Sequence, residues 1–394
     1  MKEPVIVGYV RSPVARAHGE KGFFRNIRSD DLAGMVIKEL VKRTGVKPSE
    51  VEDCVVGCAN QTGEQWLYGG RKITWLAGLP FEVGGLGVDR QCASSLSAVH
   101  IAAMGIMCDM GDVYIAAGLE SLLHIPMGHN VSVSDMLLNS ASFDLGVAMN
   151  MGFTAEKLFG MHKDKISKED MDRWSLRSHE LAAKAREEGF FKDEIMPIEI
   201  TLEGGTKQMV DYDQTVRKPG TETSLEKISS LPPAFQEGGV ITAGNSSPLN
   251  DAAAALMLMS KEKAKEYGLR PLATIKSMGW AGVDPTIMGT GPIPASRKAL
   301  KRAGLTAGDI DFWEINEAFA IVTLVCIREL GIDPKKVNVK GGAIAIGHPL
   351  GMSGARLVGT LARILNVEKG RYGVATACVG GGQGAAILLE REEY

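Results

Sequence analysis

One uncharged stretch constrains the fold of this chain more than any other feature. The sequence VDRQCASSLSAVHIAA runs from Val88 to Ala103, and no formally charged residue occurs between Ala93 and Met107. A helix without a polar face has to be covered on all sides, so we expect it to form the centre of a layered domain. Cys92 stands at the first turn of this predicted helix.

Strand and helix signals alternate around this helix. In the first third, the apolar runs PVIVGYV, VEDCVVGCA and DVYIAAGLES are separated by helical patterns such as SDDLAGMVIKELVKRTG. In the last third, DAAAALMLMSKEKAKEYG is predicted as a helix, PLATIKSMGWAGV as a strand and SGARLVGTLARIL as a helix. This alternation predicts an α/β fold with a mostly parallel sheet and helices on both faces. The two similar halves suggest an internal duplication.

The middle of the chain interrupts this alternation. Residues 122–239 are richer in charge, methionine and turn residues, and they include amphipathic helices such as SKEDMDRWSLRSHELAAKAREEG. Since 394 residues exceed one ordinary core, we expect several folding units. The predicted units are an α/β part before residue 122, a middle part of residues 122–239 and an α/β part after it.

The bulk properties exclude several classes of function. The formal net charge is −3 and no basic block occurs, which argues against nucleic acid as a partner. No apolar run is long enough to span a membrane, and no G-x-G-x-x-G follows the first strand. The six cysteines form neither a disulfide framework nor a metal-binding pattern, so we expect no metal site and a cytoplasmic location.

Cys92 is the first candidate for chemistry. The N-terminus of a helix offers unpaired N–H groups that favour a thiolate, so this position is expected to lower the pKa of the thiol. The alternative is a small buried residue without a chemical role, as many free cysteines are. The stretch by itself leaves both interpretations open.

Three further candidates lie at predicted turns of the α/β units. His348 stands in GGAIAIGHPLGMSGAR, Cys378 in TACVGGGQGAA and Asn316 in EINEAFA. His348 is either a base or a structural loop histidine, and Asn316 either caps the following helix or holds a water molecule. Two thiols, an imidazole and an amide together predict acyl transfer through a thioester, in which the second thiol moves a proton on carbon. A Claisen condensation or its reverse requires this chemistry.

These segments resemble the thiolase family. CASS, TAGNSSPLNDAAAA, MGTGPIPASRKAL, NEAFA, GGAIAIGHPLGMSGAR and CVGGGQGAA occur in the family's order, and the resemblance covers nearly the whole chain. It implies the thiolase fold, in which two α/β domains of duplicated topology carry an inserted loop domain that binds CoA and the acyl chain. The implied limits are 1–121 and 240–269 for the N-terminal domain, 122–239 for the inserted loop domain and 270–394 for the C-terminal domain. It also implies CoA thioester substrates, with coenzyme A as a substrate rather than a permanently bound cofactor.

The resemblance also implies a role for each residue of the site. Cys92 is the acylated nucleophile, His348 activates it, and Cys378 is the acid and base at the acetyl carbon. Asn316, through a water molecule, and His348 form one oxyanion site. The N–H groups of Cys92 and Gly380 form the other.

Within the family, the chain is similar to the degradative branch. GFFRNIRSDDL, GCANQTGEQW, HIPMGHN and Ser95 resemble bacterial 3-ketoacyl-CoA thiolases, and Asn150 stands where the biosynthetic branch has histidine. The implied reaction is the thiolytic cleavage of 3-ketoacyl-CoA in fatty-acid β-oxidation. The alternative is an acetyl-CoA C-acetyltransferase that condenses two acetyl-CoA molecules. Asp89 and Ala252 depart from the family pattern, and we expect Asp89 to point into a hydrogen-bonded turn.

The substrate contacts and partners follow from the same resemblance. Arg217 and Lys218 are expected at the CoA phosphates or, alternatively, in a solvated loop. The pantetheine channel is expected to be lined by Phe235, Ser246 and Ser247. The acyl pocket is expected to be bordered by Met288. The implied assembly is a homodimer or homotetramer, with a complex with a hydratase/dehydrogenase subunit left open. A non-catalytic protein that binds lipid thioesters or sterols is the alternative from another class.

Overall fold

The computed structural model of the protein describes residues 1–139 and 141–392. Its strands are β1 (Pro4–Arg11), β2 (Ala15–Arg16), β3 (Asp53–Gly57), β4 (Gly84–Val88), β5 (Val113–Ser121), β6 (Ile198–Thr201), β7 (Lys207–Val210), β8 (Asn250–Ser260), β9 (Ala273–Gly282), β10 (Phe312–Ile315), β11 (Tyr372–Val379) and β12 (Gln383–Glu390).

The α-helices are α1 (Ser29–Thr44), α2 (Arg71–Leu76), α3 (Ser94–Met107), α4 (Asp135–Leu138), α5 (Leu145–Met149), α6 (Met151–His162), α7 (Lys168–Glu187), α8 (Leu225–Ser229), α9 (Lys261–Glu266), α10 (Pro292–Ala303), α11 (Ala320–Leu330), α12 (Ala343–Ile346) and α13 (Leu350–Val367).

The large sheet consists of two halves with the same topology. Its strand order is β10-β11-β12-β9-β1-β8-β5-β3-β4, and β2 pairs with β8. In the first half, β1–β8 and β8–β5 are antiparallel and β5–β3 is parallel. In the second half, β9–β12 and β12–β11 are antiparallel and β11–β10 is parallel, and β1 pairs with β9 between the halves. This repeated order confirms the internal duplication.

The predicted mostly parallel sheet is wrong. Among the described strands, only the pairs β3–β4, β3–β5 and β10–β11 of the large sheet are parallel. The last strand of each half, β8 or β12, runs antiparallel to the strands on both sides of it. For β12 the cause is local, because a tight glycine turn joins it to β11 and such a hairpin can only be antiparallel.

The prediction of one helix over DAAAALMLMSKEKAKEYG is also wrong. Its first part is β8, an eleven-residue strand whose residues are all buried, and only the second part is the short helix α9. Alanine favours helices in isolation, but strand pairing on both edges and helices on the faces override that preference. A strand buried on both faces appears in the sequence as a continuous apolar run, which periodicity alone does not separate from a buried helix.

The uncharged helix is central, as the sequence predicts. Apart from partly buried Ile101, residues 94–103 of α3 are buried, and α3 packs against α13 and against β3 and β5. α13 is buried along most of its length and packs against β10 and β11. The two helices therefore form a shared layer, and the segments that precede them meet in the interior.

A buried ion-pair cluster anchors the middle segment of the chain to the sheet. The Arg11 guanidinium, at the end of β1, forms two hydrogen bonds to Asp213 of 2.6 and 2.9 Å and one of 2.8 Å to Glu194. All three side chains are buried. Because Glu194 and Asp213 flank the hairpin β6–β7, the cluster fixes both ends of this hairpin on the first half of the sheet.

Candidate active site

Cys92 lies in a strained turn that connects β4 to α3. The turn is a three-ten segment, Gln91–Ala93, so the cysteine immediately precedes the α-helix. Gln91 has a φ of 42°, a left-handed conformation that is unfavourable for a residue with a side chain. The Asp89 carboxylate stabilises this conformation because it accepts hydrogen bonds from the Gln91 backbone N–H at 2.7 Å and from its side-chain amide. Asp89 thus occupies the hydrogen-bonded turn expected from the sequence.

Burial dominates the electrostatics of the Cys92 thiol. The residue is 6% exposed, and burial raises the pKa of the thiol to about 11. The backbone N–H groups of Gly380 and of Cys92 bond the sulfur and oppose this rise, whereas the charges of Glu120 and Asp89 add to it. The expectation of a lowered pKa is therefore wrong, because desolvation outweighs the N–H groups. Cys92 rests as a neutral thiol and needs a base.

The second thiol lies beside the first. Cys378 stands near the end of β11, and the turn into β12 contains Gly381 and Gly382, whose φ values of 82° and 80° favour glycine. Cys378 is fully buried, and burial raises its pKa well above the ordinary value, with the charge of neighbouring Cys92 as the next cause. The N–H group of Gly380, in the same turn, is the one that bonds the Cys92 sulfur.

His348 and Asn316 form a second buried pair. The distance between His348 Nε2 and Asn316 Nδ2 is 3.2 Å. Asn316 directly follows β10, and its Oδ1 finds no donor among the described residues, so this oxygen is available to a water molecule. The capping role considered for Asn316 is wrong, because α11 begins only at Ala320, after Phe319.

A glycine turn holds His348 in place. Gly347 has a φ of 119°, and a Cβ atom there would lie 2.6 Å from Asn250 Cγ, so only glycine fits. The Asn250 side chain accepts the backbone N–H of His348 at 3.0 Å. Burial, followed by the charge of Arg356, lowers the pKa of His348 to about 3. The imidazole is therefore neutral at physiological pH and can accept a proton.

Packing between the elements brings the two pairs together. The turn that holds Cys92 packs against α13, which begins two residues after His348, and against β11, which contains Cys378. β10 pairs with β11, and the Asn316 backbone N–H donates to a carbonyl of β11 at 2.9 Å. The structure thus gathers around one region all five residues that sequence analysis assigned to catalysis, Gly380 included.

Sequence analysis missed a buried carboxylate that joins the two halves. Glu120, in β5, accepts the backbone N–H groups of Ala59, Asn60 and Gly351 at 2.9, 3.2 and 2.8 Å, and the Gln65 amide at 2.8 Å. Its carboxyl group is fully buried, and this burial raises its pKa. The contacts hold the loop after β3 against the start of α13. A lone charge within the apolar run VYIAAGLES was the signal that could have revealed it.

Glu317 performs the same task on the other side of His348. It accepts hydrogen bonds from Trp174 Nε1 at 2.9 Å, Ser178 Oγ at 2.7 Å, Asn338 Nδ2 at 2.8 Å and the Ile344 N–H at 3.1 Å. These donors belong to α7, α12 and the loop before α12. Glu317, the residue after Asn316, therefore holds the segment that leads to His348 in place.

The three residues expected to contact pantetheine pack against the segment that follows Asn316. Phe235 lies edge-to-face on Phe319, with ring centres 5.9 Å apart, and Ser246 forms a bridge with the same residue. Ser247 donates to the Ala318 carbonyl at 3.1 Å. The structure therefore places Phe235, Ser246 and Ser247 beside the segment that follows Asn316.

The remaining expected contacts lie in different surroundings. Met288 is buried in the three-ten segment Pro285–Thr290, within the apolar cluster of the second half. Arg217 and Lys218 are exposed. Lys218 Nζ lies 3.8 Å from Glu187 on α7.

The described residues offer neither a metal site nor a membrane-spanning helix. Residues 1–139 and 141–392 contain no group of three or more His, Cys, Asp or Glu side chains placed to hold a metal ion. No helix within the same ranges is long and apolar enough to cross a membrane.

Two family models together match most of the chain. The model described as "Thiolase, N-terminal domain" matches residues 4–262, and "Thiolase, C-terminal domain" matches residues 269–391. The chain belongs to the thiolase family. Thiolases named 3-ketoacyl-CoA thiolase from Marinobacter nauticus and from a Marinomonas species are each 45% identical to it. The alignments cover 99% of this chain and 98% of the first relative, and 98% of both chains for the second.

Solved thiolase structures share its fold. The human mitochondrial 3-ketoacyl-CoA thiolase in complex with CoA is 34% identical, with a TM-score of 0.88 over 99% of this chain and 98% of that one. The Bacillus anthracis acetyl-CoA acetyltransferase is 38% identical, with a TM-score of 0.87 over 100% of this chain and 99% of that one. The predicted α/β thiolase fold is thereby confirmed.

Proposed function

We propose that this thiolase cleaves 3-ketoacyl-CoA with CoA and releases acetyl-CoA and a shortened acyl-CoA. The observation that carries the proposal is the pairing of two neighbouring buried thiols, Cys92 and Cys378, with a neutral histidine. The similarity to 3-ketoacyl-CoA thiolases over nearly the full length supports the same acyltransferase reaction. This reaction belongs to fatty-acid β-oxidation.

The first half-reaction transfers the acyl group to Cys92. His348 Nε2 takes the thiol proton while the sulfur attacks the C3 carbonyl of the substrate, and a bond forms between sulfur and C3. The bond between C2 and C3 then breaks, and its electron pair stays on C2. Cys378 donates its thiol proton to C2, and acetyl-CoA leaves. The raised pKa of Cys378 suits this step because it keeps the thiol protonated.

The second half-reaction releases the shortened acyl-CoA. The Cys378 thiolate takes the proton of an incoming CoA thiol, whose sulfur attacks the acyl group on Cys92. The tetrahedral intermediate expels the Cys92 sulfur, which recovers its proton from His348. Cys92, Cys378 and His348 return to their resting protonation states.

Each oxyanion has its own donors in this scheme. The N–H groups of Cys92 and Gly380 both lower the pKa of the Cys92 thiol, which supports their role as donors to the oxygen of the attacked carbonyl. Protonated His348 and a water molecule on Asn316 stabilise the thioester oxygen of the departing acetyl-CoA enolate. The unpartnered Oδ1 of Asn316 supports the water position.

The substrate contacts and domain limits belong to the same proposal. CoA is a substrate, with Arg217 and Lys218 at its phosphates and Phe235, Ser246 and Ser247 along pantetheine. Met288 borders the acyl pocket. The inserted domain 122–239 contributes Arg217, Lys218 and Phe235, between an N-terminal domain of 1–121 and 240–269 and a C-terminal domain of 270–394.

We also propose a homo-oligomer in the cytoplasm. β4 forms one edge of the large sheet, and the exposed side chains Trp66, Tyr68 and Trp75 stack beside it with ring centres 5.0 and 6.1 Å apart. An exposed edge with aromatic neighbours suits pairing with a second copy of the chain. The six cysteines are all free thiols, which supports a reducing compartment.

A substrate series tests the proposed reaction. The purified protein with CoA should consume 3-ketoacyl-CoA of several chain lengths, with loss of the enolate absorbance and release of acetyl-CoA. The Cys92→Ser variant should lose this activity. A rate confined to acetoacetyl-CoA would favour the condensing acetyltransferase, and no turnover at any chain length would reject the proposal.

A further inference from the structure

A buried serine lies between the His348 ring and the helix that follows it. Ser353 is in the first turn of α13 and is 1% exposed. Its hydroxyl oxygen lies 2.6 Å from His348 Nδ1 and 2.8 Å from the Pro349 carbonyl oxygen. Sequence analysis assigned no function to this serine.

The partners of the hydroxyl decide which atom donates. A hydroxyl has one proton, and the Pro349 carbonyl can only accept, so Ser353 donates to Pro349. The remaining lone pairs of Ser353 then face His348 Nδ1, which must carry the hydrogen of that contact.

The opposite end of the ring agrees with this direction. His348 Nε2 faces Asn316 Nδ2, an amide nitrogen that can only donate. Nε2 therefore accepts and has no hydrogen. Both ends of the imidazole specify the same neutral tautomer, with the proton on Nδ1 and the lone pair on Nε2.

We propose that Ser353 is a positioning residue that fixes His348 in the Nδ1–H tautomer, so that Nε2 is the atom that takes the proton of Cys92. The inference rests on the proposed thiolase reaction. When the thiol proton reaches Nε2, both ring nitrogens carry a hydrogen, and Ser353 continues to accept from Nδ1. The new Nε2–H is then a donor for the enolate oxygen. One proton transfer thus converts the base into an oxyanion donor.

The loss of the hydroxyl should remove this control. In Ser353→Ala the buried Nδ1–H loses its hydroxyl acceptor, which favours the tautomer with the proton on Nε2. Nε2 then has no lone pair for the Cys92 proton. We expect kcat to fall by about 100-fold, the size of a lost general base, while KM changes little.

Nitrogen-15 NMR of histidine-labelled full-length protein tests the tautomer directly. The His348 signals, identified by their absence in His348→Asn, should show a protonated Nδ1 and an unprotonated Nε2 in the wild type. Ser353→Ala should reverse or mix these signatures and slow the alkylation of Cys92 by iodoacetamide at neutral pH. Ser175→Ala is the matched control, since Ser175 is also buried and its hydroxyl donates to the carbonyl of Met171 four residues earlier.

The outcomes separate the inference from the proposed function. A wild-type signal with the proton on Nε2 overturns the inference even if the enzyme is active. An unchanged tautomer and kcat in Ser353→Ala also overturns it. If the wild type shows the Nδ1–H tautomer but cleaves no 3-ketoacyl-CoA, the reaction is wrong while the assignment of Ser353 to the tautomer stands. The wild-type spectrum decides the point even if the alanine variant does not fold.

Discussion

At the scale of single residues, the site stores its reactive groups in neutral form. Burial raises the pKa of Cys92 to about 11 and lowers that of His348 to about 3, so neither a thiolate nor an imidazolium is present at rest. The substrate carbonyl has to be in place when the proton moves, because charge is then transferred to an oxyanion that N–H groups stabilise. This arrangement limits side reactions of the thiol with other electrophiles.

The neutral thiol predicts a pH-dependent alkylation. Below a pKa of about 11, the thiolate fraction of Cys92 grows about tenfold per pH unit, so inactivation by iodoacetamide should accelerate steadily from about pH 7 to about pH 9. The rates should be measured in a Cys108→Ser background, because Cys108 is an exposed thiol. A plateau that begins at neutral pH would show that Cys92 is already ionised at rest.

At the scale of elements, the sequence predicted best where the signals are local. The sequence predicted the central helix α3 and the turns around Cys92, His348 and Cys378, because apolar patterning and glycine turns depend on adjacent residues. The strand β8 was missed because its neighbours in the sheet, not its own alanines, determine its conformation.

The supporting groups of the site were missed for a similar reason. Glu120 bonds Gly351, which lies 231 positions away in the sequence. No spacing rule connects such a pair, since the contact exists only after the two halves pack together. The role of Ser353 is local in sequence, but its direction of hydrogen bonding depends on the side chain of Asn316 and therefore on the fold.

One loop contact should make stability depend on pH. His124 Nδ1 lies 2.9 Å from Glu64 and Nε2 lies 3.0 Å from the Arg25 carbonyl, and both partners only accept. Burial lowers the pKa of His124, but these acceptors outweigh it and the net pKa is raised. The contribution to the free energy of unfolding is therefore complete below the unfolded pKa of about 6.5 and is lost as the pH rises through the folded pKa.

A substitution isolates this contribution. His124→Gln should remove part of the decline in the free energy of unfolding as the pH rises above about 6.5, as measured by urea unfolding at a series of pH values. His129→Gln is the control, because His129 is exposed on the same loop. If both variants retain the pH dependence of the wild type, His124 does not stabilise the loop through its charge.

At the scale of the whole molecule, duplication explains how the site is divided. The first half supplies Cys92 and Glu120, and the second supplies Asn316, His348 and Cys378. The helices α3 and α13 come from different halves and pack against each other in the shared central layer. The proposed catalytic residues therefore come together only when both halves are folded and packed.

The Arg11 cluster should contribute strongly to global stability. Arg11→Met removes the cation of buried Asp213 and leaves buried Glu194 with the more distant Arg363 at 3.5 Å. We expect a loss of about 3–5 kcal/mol in the free energy of unfolding, measured with urea. Arg173→Ala removes an exposed pair with Glu169 on α7 and should change stability by less than about 1 kcal/mol. Equal effects of the two substitutions would contradict the role assigned to the buried cluster.

The acyl intermediate on Cys92 is the central claim, and mass spectrometry of the intact protein tests it most directly. The protein is mixed with a 3-ketoacyl-CoA in the absence of free CoA, which stops the reaction after its first half. We predict one shortened acyl group per chain, attached to Cys92, together with an equal amount of acetyl-CoA. No adduct in the wild type, or an adduct that persists in Cys92→Ser, would contradict the account.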